Sequence, residues 1–145
     1  MQHFALEGTA RSFALRLDPG DMVLECLEEM IQKEGVRDAV VVSGIGTLDR
    51  CTLHMVTTTG YPPVEHFAVW EDKPLELAAL QGIIAGGRPH LHAVVSDTER
   101  AYAGHLEPGC RVLYLAEIVL FELHPAGLTR MRDERGIMRL VHDAG

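Results

Sequence analysis

What most limits the folds open to this chain is its scarcity of helical periodicity. The stretch DPGDMVLECLEEMIQKEG, residues 18–35, carries it, and nearly everything else reads as strand. Within that stretch Val23, Leu24, Leu27, Met30 and Ile31 form one apolar stripe at helical spacing. Glu25, Glu28, Glu29, Gln32 and Lys33 take the other side. Asp18 is placed to cap the first turn, Pro19 suits the first helical position, and Gly35 suits the left-handed residue that ends a helix. The spacing predicts one long helix over about residues 19–34.

The strands follow from alternation and β-branched runs. SFALRL alternates, AVVVSGIGT ends in glycines, and CTLHMVTTT and EHFAVWE flank the break at Tyr61-Pro62-Pro63. LELAALQGII, HLHAVVS, RAYAGHL and RVLYLAEIVLFEL come next, and LTRMR and GIMRLV close the chain around Asp133 to Gly136. Short turns between successive strands favour antiparallel pairing. One helix with about eight or nine strands predicts an α+β fold built on a large, mainly antiparallel sheet. No linker or repeat interrupts it, so residues 1–145 read as one domain. RVLYLAEIVLFEL is apolar on both sides apart from Glu117 and Glu122. One helix cannot cover all of that surface, which predicts association between subunits.

Several function classes are disfavoured. No apolar run approaches the roughly 18 residues of a membrane span, and MQHFALEGTARS lacks the basic flank and apolar core of a secretory signal. Cys26, Cys51 and Cys110 are odd in number and have no CxxC spacing, which reads as reduced thiols in a cytoplasmic protein. The net charge of −8 opposes phosphate-backbone binding, so DNA is a disfavoured partner. The basic residues Arg130, Arg132, Arg135 and Arg139 are diluted by Asp133 and Glu134 and are read as decoration of a terminal hairpin. GGRP, residues 86–89, has a single arginine set against a strand and makes no independent DNA-binding peptide. SGIGT, residues 43–47, is not followed by the pattern of a nucleotide-binding loop. Ser43, Ser96 and Cys110 sit in no nucleophile elbow.

The chemistry concentrates in GRPHLHAVVSDTERAYAGHLEPGC, residues 87–110. On a strand His90 and His92 point to one side. If Thr98 and Glu99 are the central pair of the turn, partner numbers sum to 197 and His92 faces His105. A sum of 195 puts His90 there instead. Directly opposed residues share a face, so either register gathers all three imidazoles. Three converging imidazoles suit a divalent ion with a fourth position open, and zinc is favoured because neutral imidazole is its usual ligand. The competing reading is a chance cluster of surface histidines. Glu117 is the candidate acceptor for the free N–H of a ligating histidine, fixing its tautomer, or else it forms a salt bridge to Arg111 or Arg88. Glu76 is balanced between a buried partner and an ordinary edge charge. His54 and His66 are read as structural.

These residues resemble the PPC (plants and prokaryotes conserved) domain family. The resemblance rests on LELAALQGII and GRPHLHAVVSDTERAYAGHLEPGCRVLYLAEIVL, with RLDPGDMVLECLEEMIQKEGVRDAVVVSGIGTL matching its helix and glycine-containing strand end. It covers roughly residues 11–125. It implies a homotrimer around a mainly antiparallel sheet, with His90, His92 and His105 at the metal-ligand positions, commonly for zinc. Family members often carry a DNA-binding label, chiefly through plant proteins with a separate AT-hook, which this chain lacks. Ala103 stands where a second glycine is usual, and Thr98-Glu99 replaces a glycine-bearing turn. Three functions follow as expectations. The first is a homotrimeric metal-binding domain without demonstrable catalysis. The second is a DNA-binding, transcription-associated protein. The third is a metal-dependent enzyme on a small substrate, with Glu117 or a nearby acid as base.

Overall fold

The computed structural model describes residues 8–123 and 127–142. Most of the N-terminal stretch weighed as a signal, residues 1–7, lies outside them. The elements are β1 (Thr9–Leu17), α1 (Val23–Glu34), β2 (Ala39–Val56), β3 (Glu65–Ala85), β4 (Arg88–Ser96), β5 (Ala101–Leu106), β6 (Arg111–Leu123), β7 (Leu128–Arg132) and β8 (Met138–His142). Six strands form one antiparallel sheet in the order β1-β6-β2-β3-β4-β5, and β7 and β8 form a separate hairpin. The expected architecture, one helix on a mainly antiparallel sheet, is present. None of the helices among the described residues is long and apolar enough to cross a membrane.

The helix begins later than its sequence suggests. Gly20 and Val23 donate backbone hydrogen bonds to Val112 and Cys110, and Val112 donates to Asp21. Met22 is extended and bridges Arg111, so residues 20–22 join the start of β6 and leave the helix to open at Val23. The sheet outcompetes the capping signal at Asp18, and no side chain caps the helix. The other end is as expected. Gly35 is left-handed, at φ 66°, and donates to Gln32 and Ile31. Val23, Leu27 and Ile31 are buried, and Leu24 and Met30 pack against the same core.

Two pairs of short expected strands are continuous. AVVVSGIGT and the first six residues of CTLHMVTTT fall within β2, which ends at Val56, and EHFAVWE and LELAALQGII fall within β3. An irregularity between Leu48 and Arg50 bends the pairing without ending it. The bend lets β2 change neighbours. Its first part pairs with β6, while Leu53 and His54 pair with Leu106 and His105 of β5. Strands β2, β3, β4 and β5 therefore form a closed circuit. Inside it Leu53, Leu80, Leu91 and Leu106 are at most 1% exposed. Burial of each stabilises the fold by about 1.5–3 kcal/mol. Cys51 and Cys110 share this core as free thiols with Sγ atoms 3.8 Å apart.

The β7–β8 hairpin is tied back by Asp38, itself 6% exposed. The Asp38 carboxylate accepts hydrogen bonds from the backbone of Gly86 (3.0 Å) and Leu128 (3.1 Å). Ala85 and Leu128 form a small second core with Ile83, Leu123 and Leu140. GGRP is thus the β3–β4 turn and the start of β4, not a free peptide.

Candidate metal centre

Leu91, Ala93 and Val95 alternate inward on β4 and fill the core, which turns His90 and His92 to the outer face. The turn is built by Asp97. Its backbone N–H donates to the Arg100 carbonyl (3.1 Å), and its carboxylate accepts from the N–H groups of Glu99 (2.8 Å) and Arg100 (2.9 Å). This aspartate-centred turn serves where glycine is usual. It sets the register in which His92 faces His105 and Ser96 faces Ala101, the sum of 197.

Across the sheet, β2–β5 pairing places His54 opposite His105. One row on the outer face thus runs His54, His105, His92, with His90 two residues along. Ring centroids are 4.8 Å apart for His90 and His105, 5.4 Å for His90 and His92, and 5.5 Å for His92 and His105. One nitrogen from each of these three rings lies within 4.8 Å of the others. A tetrahedral zinc site needs roughly 3.4 Å between nitrogens, from Zn–N distances near 2.1 Å, so small side-chain rotations bring the three rings to ligand spacing. The residues fit the group.

Electrostatics favour the ligand state. Burial, helped by the Arg130 charge and the neighbouring imidazoles, pushes His90 down to about 4. Burial and the proximity of His54 also lower His105. Both rings are neutral near pH 7, with a lone pair free for a cation. The four histidines line a cavity of about 420 Å³ together with Met55, Val56, Ala103 and Gly104.

Two participants escaped sequence reasoning. His54, read as structural, packs its ring 4.6 Å from that of His105. The Glu107 carboxylate is hydrogen-bonded to His54 Nδ1. His54, His105 and Glu107 make a second group with metal-ligand spacing, sharing His105 with the first. Nothing in the local sequence announces this, because it depends on β2 meeting β5 between residues 51 positions apart in the chain, His54 and His105.

Glu117 stands elsewhere. It is exposed on β6, opposite Arg16 of β1 and Ile45 of β2, in a shallow depression lined by β1 and β6. The carboxylate that does contact a histidine of the cluster is Glu107. The salt bridge considered for Glu117 is taken by Asp49, which receives two hydrogen bonds from Arg111 at 2.8 and 3.0 Å. Glu76 and His66 are exposed on β3.

The departure at Ala103 is harmless, since its side chain faces the open cavity. Gly104 is the position that needs glycine. A Cβ there would lie 2.7 Å from the His54 carbonyl oxygen and 3.2 Å from Leu53 Cβ. Close approach of β5 to β2, and hence of His105 to His54, depends on its missing side chain.

Comparison with known proteins places these features in context. The family model described as the Plants and Prokaryotes Conserved (PCC) domain matches residues 5–124. A curated relative, the bifunctional protein GlmU of a Synechococcus strain, is 32% identical over 127 residues, 87% of this chain and 19% of that protein. The chain thus spans about a fifth of the length of the curated relatives it matches. Among solved structures, a metal-containing protein from Archaeoglobus fulgidus superposes with a TM-score of 0.80 at 24% identity, covering 98% of this chain and all of that one. A candidate DNA-binding protein from Ralstonia eutropha gives a TM-score of 0.74 at 25% identity over 90% of each chain.

Proposed function

The chain belongs to the Plants and Prokaryotes Conserved domain family, and from that premise we propose that it is a homotrimeric metal-binding protein in which His90, His92 and His105 hold one divalent ion, zinc by preference. The observation that carries this reading is the convergence of three imidazole nitrogens within 4.8 Å on one sheet face. Lowered proton affinity at His90 and His105 supports it, because a ligating imidazole must be neutral. Three protein ligands leave a coordination position open, and an ion bound this way supplies a Lewis acid to whatever oxygen occupies that position.

The chain's own residues prepare the surroundings. Glu107 fixes the orientation of His54 through Nδ1, and its own backbone N–H is anchored on the Thr52 carbonyl at 3.1 Å. His54 then presents Nε2 outward, 3.9 Å from Glu65. Ring packing of His54 on His105 limits rotation of that ligand.

Elemental analysis of the purified protein tests the reading. The wild type is expected to carry one ion per chain. His90→Ala, His92→Ala and His105→Ala are each expected to lose most of it while circular dichroism stays unchanged. Equal metal content in all four proteins would refute the assignment.

A further inference from the structure

The four arginines at the end of the chain are not equivalent. Arg132 donates to the Gly136 carbonyl at 2.8 Å, Arg135 stacks over the Tyr61 ring at 5.1 Å, and Arg139 pairs with Asp133 at 2.7 Å. Arg130 makes no hydrogen bond or ion pair among the described residues, and its Nε is buried without a partner. It lies on β7, which the Asp38 anchor brings beside the histidines. A second cavity, of about 860 Å³, opens there and shares His54, His90 and His105 with the first. Its charged lining is Arg88, Arg130 and Arg132 against Glu65 alone. In a chain of net charge −8 this is a local reversal of sign.

We propose that this cavity binds the oxyanion head, phosphate or carboxylate, of a small molecule, with Arg130 and Arg88 as the anion-holding residues. The Arg130 Nε is shielded from the cavity, whereas its terminal nitrogens have no acceptor or carboxylate among the described residues and are the donors open to an anion there. The planar guanidinium fork matches the paired oxygens of a carboxylate or phosphate. A rival reading, that the Arg130 stem merely covers apolar surface, accounts for the buried Nε but not for two arginines, Arg88 and Arg130, lining one cavity with no carboxylate paired to either among the described residues. The volume falls within the roughly 300–1,000 Å³ range of small-molecule sites and far exceeds one phosphate, so the rest of the ligand extends toward the histidines. The inference deepens the metal-binding reading by naming a ligand class for the same depression, yet anion capture by arginines does not require the ion.

The test is calorimetric titration of inorganic phosphate, and of succinate as a weakly metal-binding carboxylate probe, into protein as purified and after chelation, with metal content measured on each sample. The expected result is saturable binding in both states, weakened at least roughly tenfold by Arg130→Met and by Arg88→Gln, with metal content unaltered. Arg130→Lys, which keeps the charge and loses the fork, is expected to fall between. Phosphate bound by Arg130→Met as tightly as by wild type would overturn the proposal, as would no binding at all. Binding abolished by chelation but untouched by Arg130→Met would place the anion on the ion, which removes this proposal and leaves the metal reading standing. A His92→Ala protein that lacks metal and still binds phosphate would support the arginine site and count against the metal reading only if wild type lacked metal too. Tighter binding of duplex DNA than of either probe would overturn the small-molecule assignment.

Discussion

At the scale of the residue, the site depends on one atom that is absent and one proton that is kept off. The absent atom is the Cβ of Gly104, which would have no room beside the His54 carbonyl. Gly104→Ala is expected to cost about 1–3 kcal/mol by overpacking, read as a lower urea midpoint, and to weaken metal binding with every ligand intact. The proton is that of His90. Its folded value near 4 lies below the ordinary 6.5, so between those values the unfolded chain binds a proton that the folded chain refuses. Stability of the metal-free protein from this source is complete above about pH 6.5 and is lost as pH falls toward 4. His90→Gln should therefore flatten the melting-temperature profile across that window relative to wild type, and parallel profiles would contradict the assigned cause. These residues also show what the sequence could and could not disclose. That His90, His92 and His105 share a face was readable because a short turn limits the pairing to a few registers, while the choice of His92 rather than His90 opposite His105 is open in the sequence and is made by the Asp97 turn. His54 and Glu107 were not readable, because their place depends on a long-range strand pairing that no local pattern encodes. Glu117 misled for a related reason: an acid within an apolar strand suggests a buried partner, whereas the strand exposes that position.

At the scale of the element, local signals held wherever no other element competed for the same backbone. The helix stripe and the Gly35 stop were legible, while the start was displaced because residues 20–22 found better partners in β6. The expected breaks within β2 and β3 were bends, since glycine and charge mark irregular pairing as readily as they mark an end. The terminal hairpin was legible as a hairpin, but its docking was not, because a single buried carboxylate decides it. Asp38→Ala leaves the Gly86 and Leu128 N–H groups without their acceptor, at an expected cost of about 3 kcal/mol. Faster amide exchange at Leu128, with core strands still protected, is the local signature. The same variant should weaken phosphate binding by releasing Arg130, though it alters no residue of the arginine pair.

At the scale of the whole molecule, charge and apolar surface make opposite demands. A net charge of −8 repels polyanions, and the positive cavity is too localised to track a duplex. A mobility-shift titration at low salt is expected to show no retarded complex, and a shift that weakens steeply with added salt would revive the DNA-binding reading. The apolar surface argues for association. Ile45 is 50% exposed, Tyr114 69% and Leu115 46%, and all three line one depression on the β2–β6 side of the sheet. The helix covers other ground: its buried stripe is spent on the core that β6 closes. Three copies meeting through this face would bury large side chains whose exposure the single chain cannot otherwise avoid, and like charges would remain at the rim. Sedimentation equilibrium is expected to give three times the 16.0 kDa chain mass for the wild type and a shift toward one chain for Ile45→Asp, because an aspartate buried without a partner at such an interface opposes association by several kcal/mol. The histidines occupy a different strand pair, so the dissociated variant should still bind metal. A variant that lost ion and assembly together would show instead that the centre is completed by a neighbouring copy.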